Sequence, residues 1–80
     1  MKGELVFCGY SNFNSKDGTK HYYVLNFFTY PSVSDDKALS EPVNLFVTED
    51  KYSDFIKSND LLSVVEIPFE IIGNKVRYYL

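Results

Sequence analysis

Polar and apolar residues alternate along most of this chain, and the alternation divides it into five strand-like runs and one helical run. Residues 4–13, ELVFCGYSNF, predict a strand with Leu5, Phe7 and Gly9 on one side and Val6, Cys8 and Tyr10 on the other. The segment NSKDGTK carries Asp17-Gly18, a strong hairpin signal, and predicts a turn. A second strand follows over 20–30, KHYYVLNFFTY, and Pro31 ends it. Residues 31–41, PSVSDDKALSE, form a polar stretch that predicts a loop. A third strand spans 42–48, with Pro42 in the first position, where a missing N–H is tolerated.

The helical run is VTEDKYSDFIKSND. Thr48 is suited to the N-cap, and Glu49 and Asp50 complement the positive end of the helix dipole. Tyr52, Phe55 and Ile56 recur at i, i+3, i+4 and make one apolar stripe, and Val47 is placed to staple onto Tyr52. Alternation resumes at 61–72, LLSVVEIPFEII, interrupted by Pro68, and Gly73-Asn74 predicts a two-residue turn into a last strand, KVRYYL, over 75–80. The predicted order is β-β-β-α-β-β in one 80-residue domain. That order matches the five-stranded barrel that binds oligonucleotides and oligosaccharides, the OB fold: mainly β with one short helix. An SH3-like barrel normally lacks the helix, and a ferredoxin-like fold needs two.

Composition sharpens the β reading. Aromatic residues make up 18% of the chain, with seven Phe, seven Tyr and no Trp, and aromatic residues favour strands. No apolar run approaches the roughly 20 residues of a membrane-spanning helix. The first ten residues lack the cleavage site of a signal peptide, and the single cysteine, Cys8, has no partner for an internal disulfide. These features predict an intracellular, cytoplasmic protein with no membrane partner.

The net charge of −3 is unevenly spread. Residues 31–60 carry seven acids against three lysines, 1–30 three lysines against two acids, and 61–80 two of each sign. Clustered cations are therefore missing, which argues against purely electrostatic attraction to phosphate.

Catalysis finds little footing. His21 is the only histidine and sits among strand aromatics, so it reads as an ordinary strand residue and Cys8 as a structural thiol. Neither Asp35-Asp36 nor Glu49-Asp50 makes a convincing acid/base pair: one solvates a loop and the other starts a helix. The four glycines are scattered, with no phosphate-binding loop among them. The expectation is a non-enzyme with no cofactor, no metal and no small-molecule substrate.

Binding is better supported, and strand phase carries the argument. Lys20 and Asn26, costly to bury unpaired, share one phase of strand two, so Tyr23, Leu25 and Phe27 are assigned to the core and Tyr22, Phe28 and Tyr30 face outward. By the same reasoning Val43, Leu45 and Val47 face in, and Asn44 and Phe46 face out. Strand one adds Tyr10, with Phe13 near the first loop, and strand five adds Lys75, Arg77 and Tyr79 outside, with Val76, Tyr78 and Leu80 inside. A one-residue slip in any strand exchanges the two sets. The outward set is rings interleaved with amides and a few cations, a surface on which the bases of single strands stack at roughly 1–3 kcal/mol each. The competing reading is that the same rings pack under the 31–41 loop or serve a protein contact, as a homodimer or an adaptor.

The segments DGTKHYYVLN, EPVNLFVT and PFEIIGNKVRYYL resemble those of the small OB-fold single-stranded DNA-binding proteins of bacteriophages and mobile elements, the gene-five-type helix-destabilising proteins among them. The resemblance covers most of the chain and is one of pattern. It implies a protein that coats single-stranded DNA, or RNA, cooperatively during replication, often as a homodimer. It further implies Tyr22 (Tyr23 if the phase slips) as a base-stacking ring and Lys20 and Arg77 as phosphate contacts. The chain departs from that family in its acidic balance and in ending on strand five without a separate acidic tail.

Overall fold

A computed structural model describes residues 1–80. Its elements are β1 (Lys2–Asn14), β2 (His21–Thr29), β3 (Ser32–Ser34), β4 (Lys37–Leu39), β5 (Pro42–Val47), α1 (Glu49–Ser58), β6 (Val64–Ile72) and β7 (Lys75–Tyr78). Five strands form one antiparallel sheet in the order β5-β2-β1-β6-β7, and β3 and β4 form a separate hairpin. The sheet curls around α1 into a half-barrel. It stops short of closure, because β5 and β7 are both edge strands.

The inner face is the core. Leu5, Phe7, Leu25, Phe27 and Ile67 are almost fully buried, and Tyr52 joins them from the helix. Phe55 sets its ring edge-on to Phe7 and to Phe27, with centroids 5.0 and 5.6 Å apart. The helix sits where its sequence signals place it. Thr48 Oγ1 accepts from the Lys51 N–H at the N-cap, and Asn59 closes the other end with its N–H on the Phe55 carbonyl. Tyr52, Phe55 and Ile56 are the face it turns to the sheet. Partial burial, and next the Glu49 carboxylate, hold the Tyr23 phenol beside this helix above its ordinary pKa.

Three features depart from strict alternation. The first is a β-bulge in β1. Phe7 lies opposite Phe27 and Gly9 opposite Asn26, so Cys8 is an extra residue without a partner. Past the bulge the strand changes phase. Tyr10 lies opposite the buried Leu25 and Phe13 opposite Tyr22, and residues directly opposite on a sheet share a face. The second is at 61–63, predicted as strand and found as a turn. There Ser63 Oγ donates to the Asp60 carbonyl at 2.6 Å, and Leu62 takes a φ of 70°. The third is 31–41, predicted as a loop and found as the short β3–β4 hairpin, with every residue exposed.

Both predicted turns form. Ser15 N–H donates to the Lys20 carbonyl across the first, and Gly18 has a φ of 74°, a region that L side chains rarely enter. Asp17 accepts from the Ser15 hydroxyl and from the N–H and hydroxyl of Thr19. Those hydrogen bonds, the Ser15 one foremost, lower its pKa to about 2. Gly73, at φ 62°, opens the second turn, between the paired Ile72 and Lys75.

Candidate nucleic-acid interface

The outward face of β1, β2 and β5 carries three neighbouring rings. Phe13 and Tyr22 are opposite each other with centroids 5.5 Å apart, and Phe46 approaches them edge-on at 6.4 and 5.9 Å. Their exposures are 46%, 36% and 67%. The sequence explains why these three meet. Tyr22 and Phe46 hold the outward phase of their strands, and the bulge at Cys8 brings Phe13 into register with them. Lys20 keeps the Tyr22 phase just beyond the end of β2 and is exposed.

The cluster is only part of the set that the sequence singles out. Tyr10 is on the other side of the sheet. Its ring stacks on Phe7 at 6.3 Å and meets the buried Tyr52 edge-on at 5.9 Å. The cause is the bulge, which reverses the phase of every β1 residue after Cys8. Phe28 keeps the outward phase but lies six residues along β2 from Tyr22, about 20 Å away at strand spacing, opposite Val6 and Pro42. Tyr30 follows it beyond the strand end and is exposed. Phe28 and Tyr30 thus form a second, separate aromatic position, with Asn26 and Asn44 paired side by side in the interval. The outward face is not wholly wet: Val6 and Val24 are buried on it.

The remaining members converge on a feature that alternation does not reveal. Between the two sheet edges runs a groove of about 1160 Å³, with Asn44 and Phe46 on the β5 bank and Lys75, Arg77 and Tyr79 on the β7 bank. Its lining carries two cations, Lys75 and Arg77, against one acid. Glu41 lines the same groove, and Glu70 stands opposite Arg77 on the outward side of the β6–β7 pair. Phe46 belongs to both the ring cluster and the groove, so the two form one continuous surface. The only sequence signal for the groove is that a five-stranded antiparallel sheet has two edges, and their distance apart depends on curl rather than on any residue type.

His21 completes a network on the inner side. Its Nε2 lies 2.9 Å from Asn12 Oδ1, and Asn12 Nδ2 donates to the Tyr52 hydroxyl at 3.3 Å. The imidazole thus bonds within the first hairpin, and Asn12 carries the link to the helix. No three His, Cys, Asp or Glu side chains gather as metal ligands would, and no helix is long and apolar enough to cross a membrane.

No family model, curated protein or solved structure matches this chain.

Proposed function

We propose that this protein is an OB-type domain that binds single-stranded nucleic acid without catalysing a reaction. The proposed mode is the one used by the small phage and mobile-element proteins it resembles. One observation carries the reading: Phe13, Tyr22 and Phe46 form an exposed ring cluster that runs directly into a groove bearing Lys75 and Arg77. Rings of this kind stack on bases of any identity, and the flanking cations meet the phosphates. In a five-stranded barrel of this type the face of strands two and three, here β2 and β5, is the binding face. Phe28 and Tyr30 provide a further stacking position along the same strand.

The charge balance specifies how the binding behaves. With Lys20, Lys75 and Arg77 as the phosphate contacts, log K falls with log salt at a slope of about −2, since each neutralised phosphate on a single strand contributes about −0.7. Affinity therefore rests mainly on stacking and survives moderate salt.

The experiment is a titration with single-stranded DNA, single-stranded RNA and duplex of equal length at two salt concentrations, read by tyrosine fluorescence. Quenching by single strands, little by duplex and a shallow salt slope are expected. A flat titration with both single strands at low salt and high protein concentration overturns the proposal.

A further inference from the structure

The two edges of the half-barrel have a relation that the nucleic-acid reading does not use. Each of the five strands is antiparallel to its neighbours, so β5 and β7, four steps apart, run in the same direction. Direct closure would need a parallel pair. One added strand, antiparallel to both edges, would complete a six-stranded, wholly antiparallel barrel.

The main-chain groups that such a strand would meet can be assigned. Thr29 N–H donates to the Glu41 carbonyl at 2.8 Å, which fixes the alternation on the β2–β5 ladder. Val43, Leu45 and Val47 then bond to β2, and the N–H and C=O of Asn44 and Phe46 point to the open edge. On the other bank Tyr79 N–H donates to the Pro68 carbonyl at 3.0 Å. Lys75 and Arg77 thus bond to β6, and Val76 and Tyr78 turn their N–H and C=O outward. Four donors and four acceptors face one groove from its two sides. Its volume of about 1160 Å³ exceeds the roughly 300–1,000 Å³ of small-molecule sites and suits a stretch of chain.

We infer that this groove accepts an extended peptide of a partner protein, about the six residues of β5 long, inserted as a sixth strand between β5 and β7. Strand alternation specifies its side chains. Those turned inward meet Leu45 and Val76 and are apolar. Those turned outward pass Lys75 and Arg77 and are acidic. A second copy of this chain does not fit. Its only strands outside the main sheet are β3 and β4, three residues each, which already pair with each other and would add two strands instead of one. The inference stands on the sheet edges and does not depend on nucleic-acid binding.

The test uses the unaltered protein, labelled with 15N, and three synthetic seven-residue peptides. One alternates Val and Glu, one has the same composition in two blocks, and one alternates Val and Glu with N-methyl groups on every second residue. Insertion predicts saturable binding of the alternating peptide alone. It also predicts amide exchange slowed by about tenfold or more at Asn44, Phe46, Val76 and Tyr78 together. Equal binding of the N-methylated or blocked peptide overturns it, as does protection on only one bank. Protection of the same four amides that grows with protein concentration in the absence of peptide also overturns it, by naming a second copy as the occupant.

Discussion

Replacing Phe7 by alanine tests the inner face, and Phe46→Ala is the matched control on the outer one. Phe7 is 1% exposed and Phe46 67%. A phenylalanine ring buries roughly 200 Å². At about 25 cal/mol per Å² the Phe7 ring contributes close to 5 kcal/mol and the Phe46 ring, one-third covered, about 1.6 kcal/mol, both as upper bounds. Phenylalanine-to-alanine changes in cores cost about 3–5 kcal/mol, consistent with the first figure. The loss is concentrated because Phe7 holds Phe27 at 5.5 Å and Phe55 at 5.0 Å, joining sheet to helix. A chain of this length has a total stability of about 4–12 kcal/mol, so Phe7→Ala removes about a quarter of it or more. In urea, with a slope of about 1–1.5 kcal/mol per molar, the midpoint falls by about 2–5 M for Phe7→Ala and by about 1.6 M or less for Phe46→Ala. Far-ultraviolet circular dichroism across a urea series measures both. Equal shifts for the two variants would refute the assignment of faces.

Three further outcomes follow from the site and the turns. Phe46→Ala is expected to weaken single-strand binding by roughly 5- to 150-fold, the loss of one base stack, measured by fluorescence titration. Asp17 titrates near pH 2 in the folded protein, below the ordinary value near 3.9. The stability that its hydrogen bonds contribute is therefore complete above about pH 4 and is lost as pH falls through 2. An NMR titration of its carboxyl carbon checks the midpoint, and Asp17→Asn should flatten the acid limb of stability over that interval. Leu62→Gly, at a φ of 70° and 72% exposed, is expected to leave stability unchanged or raise it by up to about 1 kcal/mol, read from thermal melts. At an ordinary strand position the same change would destabilise.

The parts of the fold that alternation and turn chemistry determine were legible in the sequence. Phase alone separates Tyr23-Leu25-Phe27 from Tyr22-Phe28-Tyr30 in β2, because Lys20 and Asn26 mark the wet side. The helix is announced by Thr48, Glu49 and the Tyr52-Phe55-Ile56 stripe. What escaped is set by tertiary geometry. Nothing in FCGY marks Cys8 as the extra residue, since a bulge is decided by pairing with β2, and so Tyr10 was expected on the wrong face. Leu61 and Leu62 look like strand residues because they are apolar, yet the turn closed by Asp60 and Ser63 leaves them exposed. The groove depends on the curl of five strands together, and no single segment encodes it.

The bulge has a consequence for how the chain can change length. Suppose a single codon is lost at Cys8 or Gly9. The spare residue disappears, β1 pairs with β2 without interruption, and every side chain from Tyr10 onward keeps its present face. The penalty is a change of local twist in place of an inverted strand. Residues 8 and 9 therefore form a slack point, where the chain can shorten by one residue without pulling Phe13 away from Tyr22 or Tyr10 away from Tyr52.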